Sequence, residues 1–444
     1  MNRFPLLSKT LMIGLLALLL LIPLGMIESK IGERHNLQAN VQQDIARSAS
    51  GPQTLSGPFL VISYKVRERQ TYKDEKGVEH VRICECGPYE TVIAPHSLKI
   101  DSNADVETRN RGIYQARLFN LHSVITGDFV VPERFGTDIP LTDMIPVGAS
   151  FVMNVSDSRG ISNAPQLTIN GKQHEFEAGS IKPLTGNGVH VQLESLAPDQ
   201  THTLRFNFPL DLQGMTTLSV SPTGNNTEMS LKSTWPHPSF GGSFLPRTRN
   251  VDNKGFTAQW LVTNLARNGS AVAETGHPVA SENFSVDFID PVDVYLLSER
   301  AVKYGVMFVV LVFTAFFMFE VLKSLRIHPM QYLLVGLAMA MFFLLIISLS
   351  EHIPFLTSYV ISGAACVALI GIYMAGVLKN RKPALVFSGG IAMLYAVLFG
   401  VLKSEDNALL MGSLIMFAAL AAVMVLTRRM DWYRLNQPET TARA

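Results

Sequence analysis

The apolar and polar positions of the chain divide it into three parts. Residues 10–27 form an uncharged, Leu-rich run, residues 28–303 mix polar and apolar positions, and residues 304–426 are mostly apolar. A helix needs about 20 apolar residues to cross a bilayer. Five runs in the last part meet this length, namely Tyr304–Leu322, Tyr332–Leu349, Phe355–Leu378, Ala384–Leu402 and Ala408–Leu426. The pattern predicts six transmembrane helices, one N-terminal and five C-terminal.

The N-terminal run is interpreted as a retained anchor rather than a cleaved signal peptide. It is longer than a signal-peptide core of roughly 7–15 residues, and Pro23–Ser29 offers no small-x-small cleavage site. Apolar positions at near-helical spacing extend the helix through residues 30–47, and the Ser-Ala-Ser-Gly-Pro segment at 48–52 predicts its end.

Basic residues concentrate in alternate loops of the membrane part. The basic positions are Lys323, Arg326, Lys379, Arg381, Lys382, Arg428, Arg429 and Arg434, whereas loops 350–354 and 403–407 share one Lys. The positive-inside rule then predicts a multi-pass protein of a bacterial inner membrane. It places residues 1–9 and 427–444 in the cytoplasm and residues 28–303 in the periplasm.

The periplasmic part has the pattern of a β domain. Short runs rich in β-branched and aromatic residues, from Phe59–Val66 to Phe284–Phe288, alternate with Gly, Pro and Asn. Asn170-Gly171 is the strongest hairpin signal among the turns. The predicted fold is membrane α plus β, with a large β-rich, sandwich-like periplasmic domain. Residues 28–303 exceed a typical single domain, so two lobes are an alternative.

Composition and motifs restrict the function classes. The chain has 37 Lys and Arg against 36 Asp and Glu, a balance that argues against a nucleic-acid partner. Its charged fraction of 16% is below the roughly 25% of soluble domains and fits contact with membrane lipids. The sequence holds no zinc-protease, nucleophile-elbow, P-loop or dinucleotide motif and no ligand-spaced His pair. We predict no catalytic residue, no metal and no cofactor, and a hydrolase assembled from distant residues stays open.

Cys84-Glu85-Cys86 allows a redox pair, a strained disulfide or a structural role. Residues i and i+2 of a strand lie about 6.6–6.8 Å apart, which is the upper limit for an unstrained bridge. The segment also lacks the C-x-x-C of thioredoxin-like proteins. Cys366 lies within a predicted span and is interpreted as a packing residue.

Trp235-Pro236-His237-Pro238-Ser239-Phe240 is the densest unusual segment of the periplasmic part. Its two prolines restrict the backbone, and its aromatic side chains are costly to leave in water. It is either a rigid loop that plugs the core or a recognition surface for a partner, lipid or glycan. Under the second interpretation, Trp235, His237, Phe240 and Arg159 are the candidate binding residues.

Glu320 is the main functional candidate in the membrane part, since ionisable residues within spans are costly. Near the end of its span it could also reach water or pair with Lys323. His328, Glu351 and His352 are further candidates. The remaining spans hold almost no charge, which argues against an ion-coupled transporter.

Several motifs together resemble the CreD family of inner membrane proteins. They are Ser50-Gly51-Pro52-Gln53, Gly57-Pro58, Gly112-Ile113-Tyr114, Arg159-Gly160-Ile161, Trp235–Phe240, Phe244-Leu245-Pro246, Phe319-Glu320, His328–Leu337, Ser350-Glu351-His352 and Asp431-Trp432-Tyr433. The likeness covers nearly the whole chain, but the Cys84/Cys86 pair lies outside the family pattern, which weakens a redox role.

The resemblance implies a link to a two-component stress regulon, envelope integrity and tolerance of colicins and β-lactams, with no known catalysis. The first hypothesis is a non-enzymatic protein whose β domain binds an envelope component or scaffolds other inner membrane proteins; an exposed Trp235 would favour it. The second is a transporter or channel with an external gating domain; a water-filled path to Glu320 would favour it. The oligomeric state is not predicted.

Overall fold

A computed structural model describes residues 5–73, 79–184, 186–267, 272–273, 282–289, 294–322, 327–378, 381–404 and 407–428. The chain forms two compact units. The helical unit comprises Met1–Ala39 and Val292–Ala444, and the β unit comprises Asn40–Pro291.

The described residues contain six helices that are long and apolar enough to cross a membrane, as predicted. They are α1 (Pro5–Ser48), α2 (Val294–Leu322), α3 (Pro329–Ser350), α4 (Phe355–Leu378), α5 (Arg381–Lys403) and α6 (Ala408–Thr427). The first helix is continuous over 44 residues and ends where Gly51 and Pro52 follow. Lys323, Arg326, Lys379, Arg429 and Arg434 lie outside the described residues.

Strands make up most of the β unit. They are β1 (Gln53–Lys73), β2 (Glu79–Ile93), β3 (Ser97–Arg111), β4 (Tyr114–Val131), β5 (Met144–Val155), β6 (Gln166–Ile169), β7 (Lys172–Glu175), β8 (Glu177–Ala178), β9 (Gly188–Leu193), β10 (His202–Met215), β11 (Thr217–Ser221), β12 (Asn226–Ser233), β13 (Pro238–Gly242), β14 (Thr248–Asp252), β15 (Gly255–Thr263), β16 (Val272–Ala273) and β17 (Phe284–Phe288).

The described strands form two sheets. One sheet has the order β13-β17-β11-β1-β5-β9-β8, with β2 added to β1 and β16 added to β2. The other, called here the second sheet, has the order β14-β15-β12-β3-β4-β10-β6-β7. The pairs β1–β11 and β12–β3 are parallel, so both sheets are mixed. The hairpin predicted at Asn170-Gly171 is the β6–β7 turn.

The two sheets share one apolar core. Phe151 of β5 in the first sheet contacts Phe129 of β4 and Phe208 of β10 in the second, with ring centroids 6.0 and 5.6 Å apart. All three side chains are almost fully buried. The predicted sandwich-like arrangement is confirmed, because both sheets turn apolar side chains towards this core, although the first sheet also buries Phe59, Val61 and Val152 on its other face.

One difference from the sequence analysis concerns Trp235–Phe240. Its second half is the strand β13, which pairs with β17 at the edge of the first sheet. Pro238 is the first residue of that strand, a position where the missing N–H of proline is tolerated.

Candidate functional site

The outer face of the second sheet carries two rows of side chains that run across six strands. The pairing registers place Asn250, Thr257, Lys232, Asn103, His122 and Asp211 in the first row. The second row contains Thr248, Gln259, Ser230, Asp101, Val124 and Pro209. A cavity of about 730 Å³ lies over both rows and is called here the polar groove.

The polar groove is long and offers both hydrogen-bond donors and acceptors. Neighbouring strands are about 4.8 Å apart, so six strands span about 24 Å. The His122 Nδ1 lies 2.9 Å from the Asp211 Oδ1, and these side chains keep 56% and 34% of their surface exposed. Lys232 and Asn103 are exposed as well. These groups can hydrogen-bond a polar ligand without first leaving a buried position.

The floor of the polar groove is buried and contains a cross-strand hydrogen bond. Ser102 and Ser123 lie on β3 and β4 beneath the rows, and their hydroxyl oxygens are 2.7 Å apart in a buried hydrogen bond. On β3, buried Leu98 and Ile100 alternate with outward polar residues. The sequence analysis did not identify the groove, although this alternation was a signal for it.

Trp235 lies half-buried between β12 and β13. Its indole N–H donates to the carbonyl oxygens of His237 and Ile289, both at 3.1 Å. The Arg117 guanidinium lies 5.0 Å from the ring centroid, at cation–π distance. These contacts fix the loop, and among its candidate binding residues the exposed His237 is the most accessible.

Phe240 lies on β13 and packs inward. Its ring is 5.6 Å from that of Phe256 and 5.8 Å from that of Trp260, in edge-to-face geometry. The structure therefore brings Trp235 and Phe240 into internal contacts. A binding role for these residues stays a prediction.

Arg159 lies in the 3₁₀ turn Ser158–Gly160 and connects that turn to the end of α1. Its Nε and Nη2 donate to the carboxylate of Asp157 at 2.9 and 2.6 Å, and its Nη1 donates to the Arg47 carbonyl oxygen at 2.5 Å. The guanidinium lowers the pKa of Asp157, and the carboxylate raises the pKa of Arg159. Arg159 thus satisfies a terminal carbonyl of the helix.

Gln53 completes a buried polar cluster next to Arg159. Its side-chain amide donates to the carbonyl oxygens of Asp157 and Gln213, both at 3.0 Å. A Cβ at Gly160 would overlap the Gln213 carbonyl and the Gln53 amide. Two motifs that carried the family resemblance, at residues 50–53 and 159–161, therefore meet in one place.

Glu320 on α2 is buried at 5% exposure and joins three helices. It forms an ion pair with Lys9 of α1 and accepts hydrogen bonds from the Tyr332 hydroxyl of α3 at 2.8 Å and the Ile327 N–H at 3.0 Å. Lys9 also donates to the Ile327 carbonyl oxygen at 3.1 Å. Lys9, far away in the sequence, is therefore a partner that the sequence analysis missed.

Glu351 forms a second contact between α1 and the other helices. The Arg34 Nε lies 3.5 Å from its Oε1, and the Tyr295 hydroxyl donates to the same oxygen at 3.3 Å. His328 begins α3 as its N-cap, with its Nδ1 accepting from the Met330 N–H at 3.2 Å. His352 follows α3 and is exposed. The four membrane candidates therefore lie at helix ends.

The described residues contain no group of three His, Cys, Asp or Glu side chains arranged to hold a metal ion. The predictions of no metal, no cofactor and no catalytic residue stay predictions.

Comparisons with known proteins agree on one family. The family model described as inner membrane protein CreD matches residues 5–433. The inner membrane protein CreD of Escherichia coli K12 is 39% identical over 430 residues, which cover 96% of this chain and 93% of that protein.

The solved structures that match this chain resemble it too weakly to support an argument about its fold or function. An M1 zinc metallopeptidase from Deinococcus radiodurans matches 44% of this chain and 42% of its own, at 11% identity and a TM-score of 0.21. A mutant of that enzyme gives a TM-score of 0.20 at the same coverage and identity. These scores carry no conclusion about fold or function. The family match and the E. coli relative decide the assignment, and the chain belongs to the CreD family of inner membrane proteins.

Proposed function

We propose that this inner membrane protein holds residues 28–303 in the periplasm and both termini in the cytoplasm. Six spans place both termini on the same side. Lys382 in the first turn of α5 and Arg428 after α6 support the cytoplasmic side for them, together with the basic residues of the neighbouring loops.

We propose that the β unit acts without catalysis, by binding a hydroxyl-rich polymer of the envelope, a glycan, in the polar groove. The observation that carries this proposal is the pair of solvent-facing rows over about 24 Å, in which amide, hydroxyl, carboxylate and ammonium groups alternate. Peptides that add a strand to a sheet need a free strand edge, and amphipathic helices or proline-rich peptides need an apolar or aromatic groove. The groove lies across the strands and has few apolar side chains, which favours a glycan.

This binding would support envelope integrity and tolerance of antibiotics or colicins, in line with the family resemblance. The transporter alternative needs Glu320 to reach water. Its contacts with Lys9, Tyr332 and Ile327 and its 5% exposure instead favour an anchoring role.

The binding proposal is tested with full-length protein in lipid nanodiscs. The probes are chitohexaose, measured by calorimetry, and isolated peptidoglycan sacculi, measured by co-sedimentation. Asn103→Ala removes an amide from the centre of the groove. Asn207→Ala is the matched control, because it removes an exposed amide from the same sheet face outside the groove.

A hydrogen bond contributes about 0.5–1.5 kcal/mol net, so Asn103→Ala should weaken binding by about 2- to 10-fold, while Asn207→Ala should match the wild type. Equal binding by the two variants would exclude the groove as the site. No binding of either probe by the wild type would contradict the glycan proposal. A deletion strain challenged with detergent and a β-lactam, complemented by the same variants, then tests the link to envelope integrity.

The same strain separates the earlier hypotheses. Failure of the double substitution Trp235→Ala/His237→Ala alone would assign recognition to the loop, and failure of Glu320→Gln alone would favour the helices. Folded protein in the membrane is confirmed for each variant.

A further inference from the structure

The hairpin of β1 and β2 extends beyond the sheet to which it belongs. The last residue pair of β1 with β5 is Val66 with Met144, whereas β1 and β2 continue to pair as far as Lys73 with Glu79. On its other side, β2 pairs with β16 only at Val92 and Ile93. Among the described strands, residues 67–73 and 79–85 therefore form a two-stranded arm that other proteins can approach.

Cys84 lies within this arm and Cys86 at its base, on the same face of the hairpin. They are two residues apart on β2, so their side chains point the same way, and they pair with Glu68 and Val66 of β1. Glu85 between them points to the opposite face. Both thiols are half-buried.

The two sulfur atoms are 3.0 Å apart and make a thiol–thiol hydrogen bond. Two thiolates on one tetrahedral zinc would lie about 3.8 Å apart, whereas a disulfide bond is about 2.05 Å long. The distance between the two sulfur atoms is thus shorter than that between two thiolates bound to the same zinc ion. Strand geometry puts the Cα atoms near the upper limit for a bridge, and a bridge at that limit is easily reduced.

The surroundings of Cys86 disfavour its thiolate form. The hydrogen bond with Cys84 comes first among the causes that raise the pKa of Cys86 to about 12, followed by burial and the Glu68 carboxylate. A thiol at such a pKa is a poor nucleophile. Once Cys84 is bonded to another sulfur, the hydrogen bond from its thiol is lost, and the largest of these causes no longer acts on Cys86.

We propose that Cys84 and Cys86 are a reversible dithiol/disulfide site, whose oxidant is the disulfide of another protein. The Cys84 sulfur attacks the partner's disulfide and forms a mixed disulfide, and the partner's other sulfur leaves and takes a proton. The Cys86 sulfur then attacks Cys84 and releases the partner's second thiol. Two electrons and two protons pass from this pair to the partner. The presence of such an oxidant in the cell depends on the periplasmic location proposed above, whereas the chemistry of the pair does not.

The test uses the purified full-length chain, equilibrated with glutathione buffers from reducing to oxidising. After an acid quench, the free thiols are labelled in denaturant with a maleimide polymer. We expect three labels on the wild type under reducing conditions and one, on Cys366, under oxidising conditions. Intact mass should show the loss of two hydrogens, which separates an internal bridge from a glutathione adduct.

Three variants make the result specific. Cys84→Ser and Cys86→Ser should form no internal bridge, whereas Cys366→Ser should still change from two labels to none. Three labels on the wild type in every buffer would overturn the proposal, and so would an oxidised product of doubled mass.

The same labelling in acid-quenched cells tests the location separately. One label on the wild type is expected in a periplasm that forms disulfides. Three labels in cells, from a chain that bridges when purified, would contradict the periplasmic placement and the cellular oxidation, but not the chemistry of the pair.

Discussion

Two regions of the molecule gather polar side chains, and they use them differently. Around Glu320, an ammonium, a hydroxyl and a backbone N–H converge on one buried carboxylate. In the polar groove, Lys232, Asn103 and His122 face solvent across neighbouring strands. A buried charge without partners is costly, so removing one partner from the first arrangement destabilises the fold. Exposed polar groups contribute little to stability, so the second is available for recognition.

The largest effect is expected for Glu320→Gln. This substitution leaves the Lys9 ammonium without its carboxylate, and breaking a buried pair costs about 3–5 kcal/mol. Because Lys9 keeps 26% of its side-chain surface exposed, we expect about 3 kcal/mol, at the low end. The measurement is unfolding in mixed detergent micelles, followed by helical circular dichroism.

Two further variants sharpen the Glu320 result. Lys9→Met combined with Glu320→Gln removes both charges and should recover part of the loss. Glu28→Gln changes an exposed carboxylate of α1 and should leave unfolding unchanged. If Glu320→Gln were as stable as the wild type, the contacts of Glu320 would not stabilise the helices. The contrast with the polar groove would then be lost.

A smaller effect is expected for Gly160→Ala in the β unit. The added methyl group would overlap the Gln213 carbonyl and the Gln53 amide, and overpacking costs about 1–3 kcal/mol. Gly51→Ala is the control, since a Cβ there meets no atom within 4 Å. Urea unfolding followed by tryptophan fluorescence should show a lower midpoint for Gly160→Ala only. Equal midpoints would mean that the polar cluster adapts at no cost.

The smallest effect is expected from the pH dependence of the Asp157–Arg159 pair, because Arg159 is 57% exposed. Arg159 holds the pKa of Asp157 below its ordinary value of 3.8. The contribution of the pair to the free energy of unfolding is therefore complete above that pH. It is lost as the pH falls through the lower pKa that Asp157 has in the folded state. The stability difference between wild type and Arg159→Met should be constant near neutral pH and shrink below about pH 4. A difference that stays constant to pH 3 would contradict this.

The fold could largely be predicted because its signals are local. Each span is a continuous apolar run, and the β6–β7 turn is specified by Asn170-Gly171. The short β-rich runs identified in the sequence do not include β3 or β14, and the reason is physical. Outward positions of β3 hold Lys99, Asp101 and Asn103, residue types that strands disfavour, and β14 is exposed along its whole length.

The candidate sites were less predictable, because their partners are distant in sequence. Lys9 and Glu320 are separated by 311 positions. The groove depends on the register of six strands, and one sequence does not specify which strands are neighbours. Trp235 was found by its composition, but its indole N–H bonds to Ile289, 54 positions away, and only the fold shows this.

The two contacts of α1 also have a mechanical consequence. Lys9 and Arg34 are about 25 residues apart, or about 37 Å along the helix axis. Their partners on α2 and α3 hold Lys9 at one end and Arg34 at the other. A piston-like shift of α1 by one turn, about 5.4 Å, would break both pairs at once. The spacing exceeds the roughly 30 Å of a hydrocarbon core, so the two pairs do not both fit within the core of a bilayer that α1 crosses.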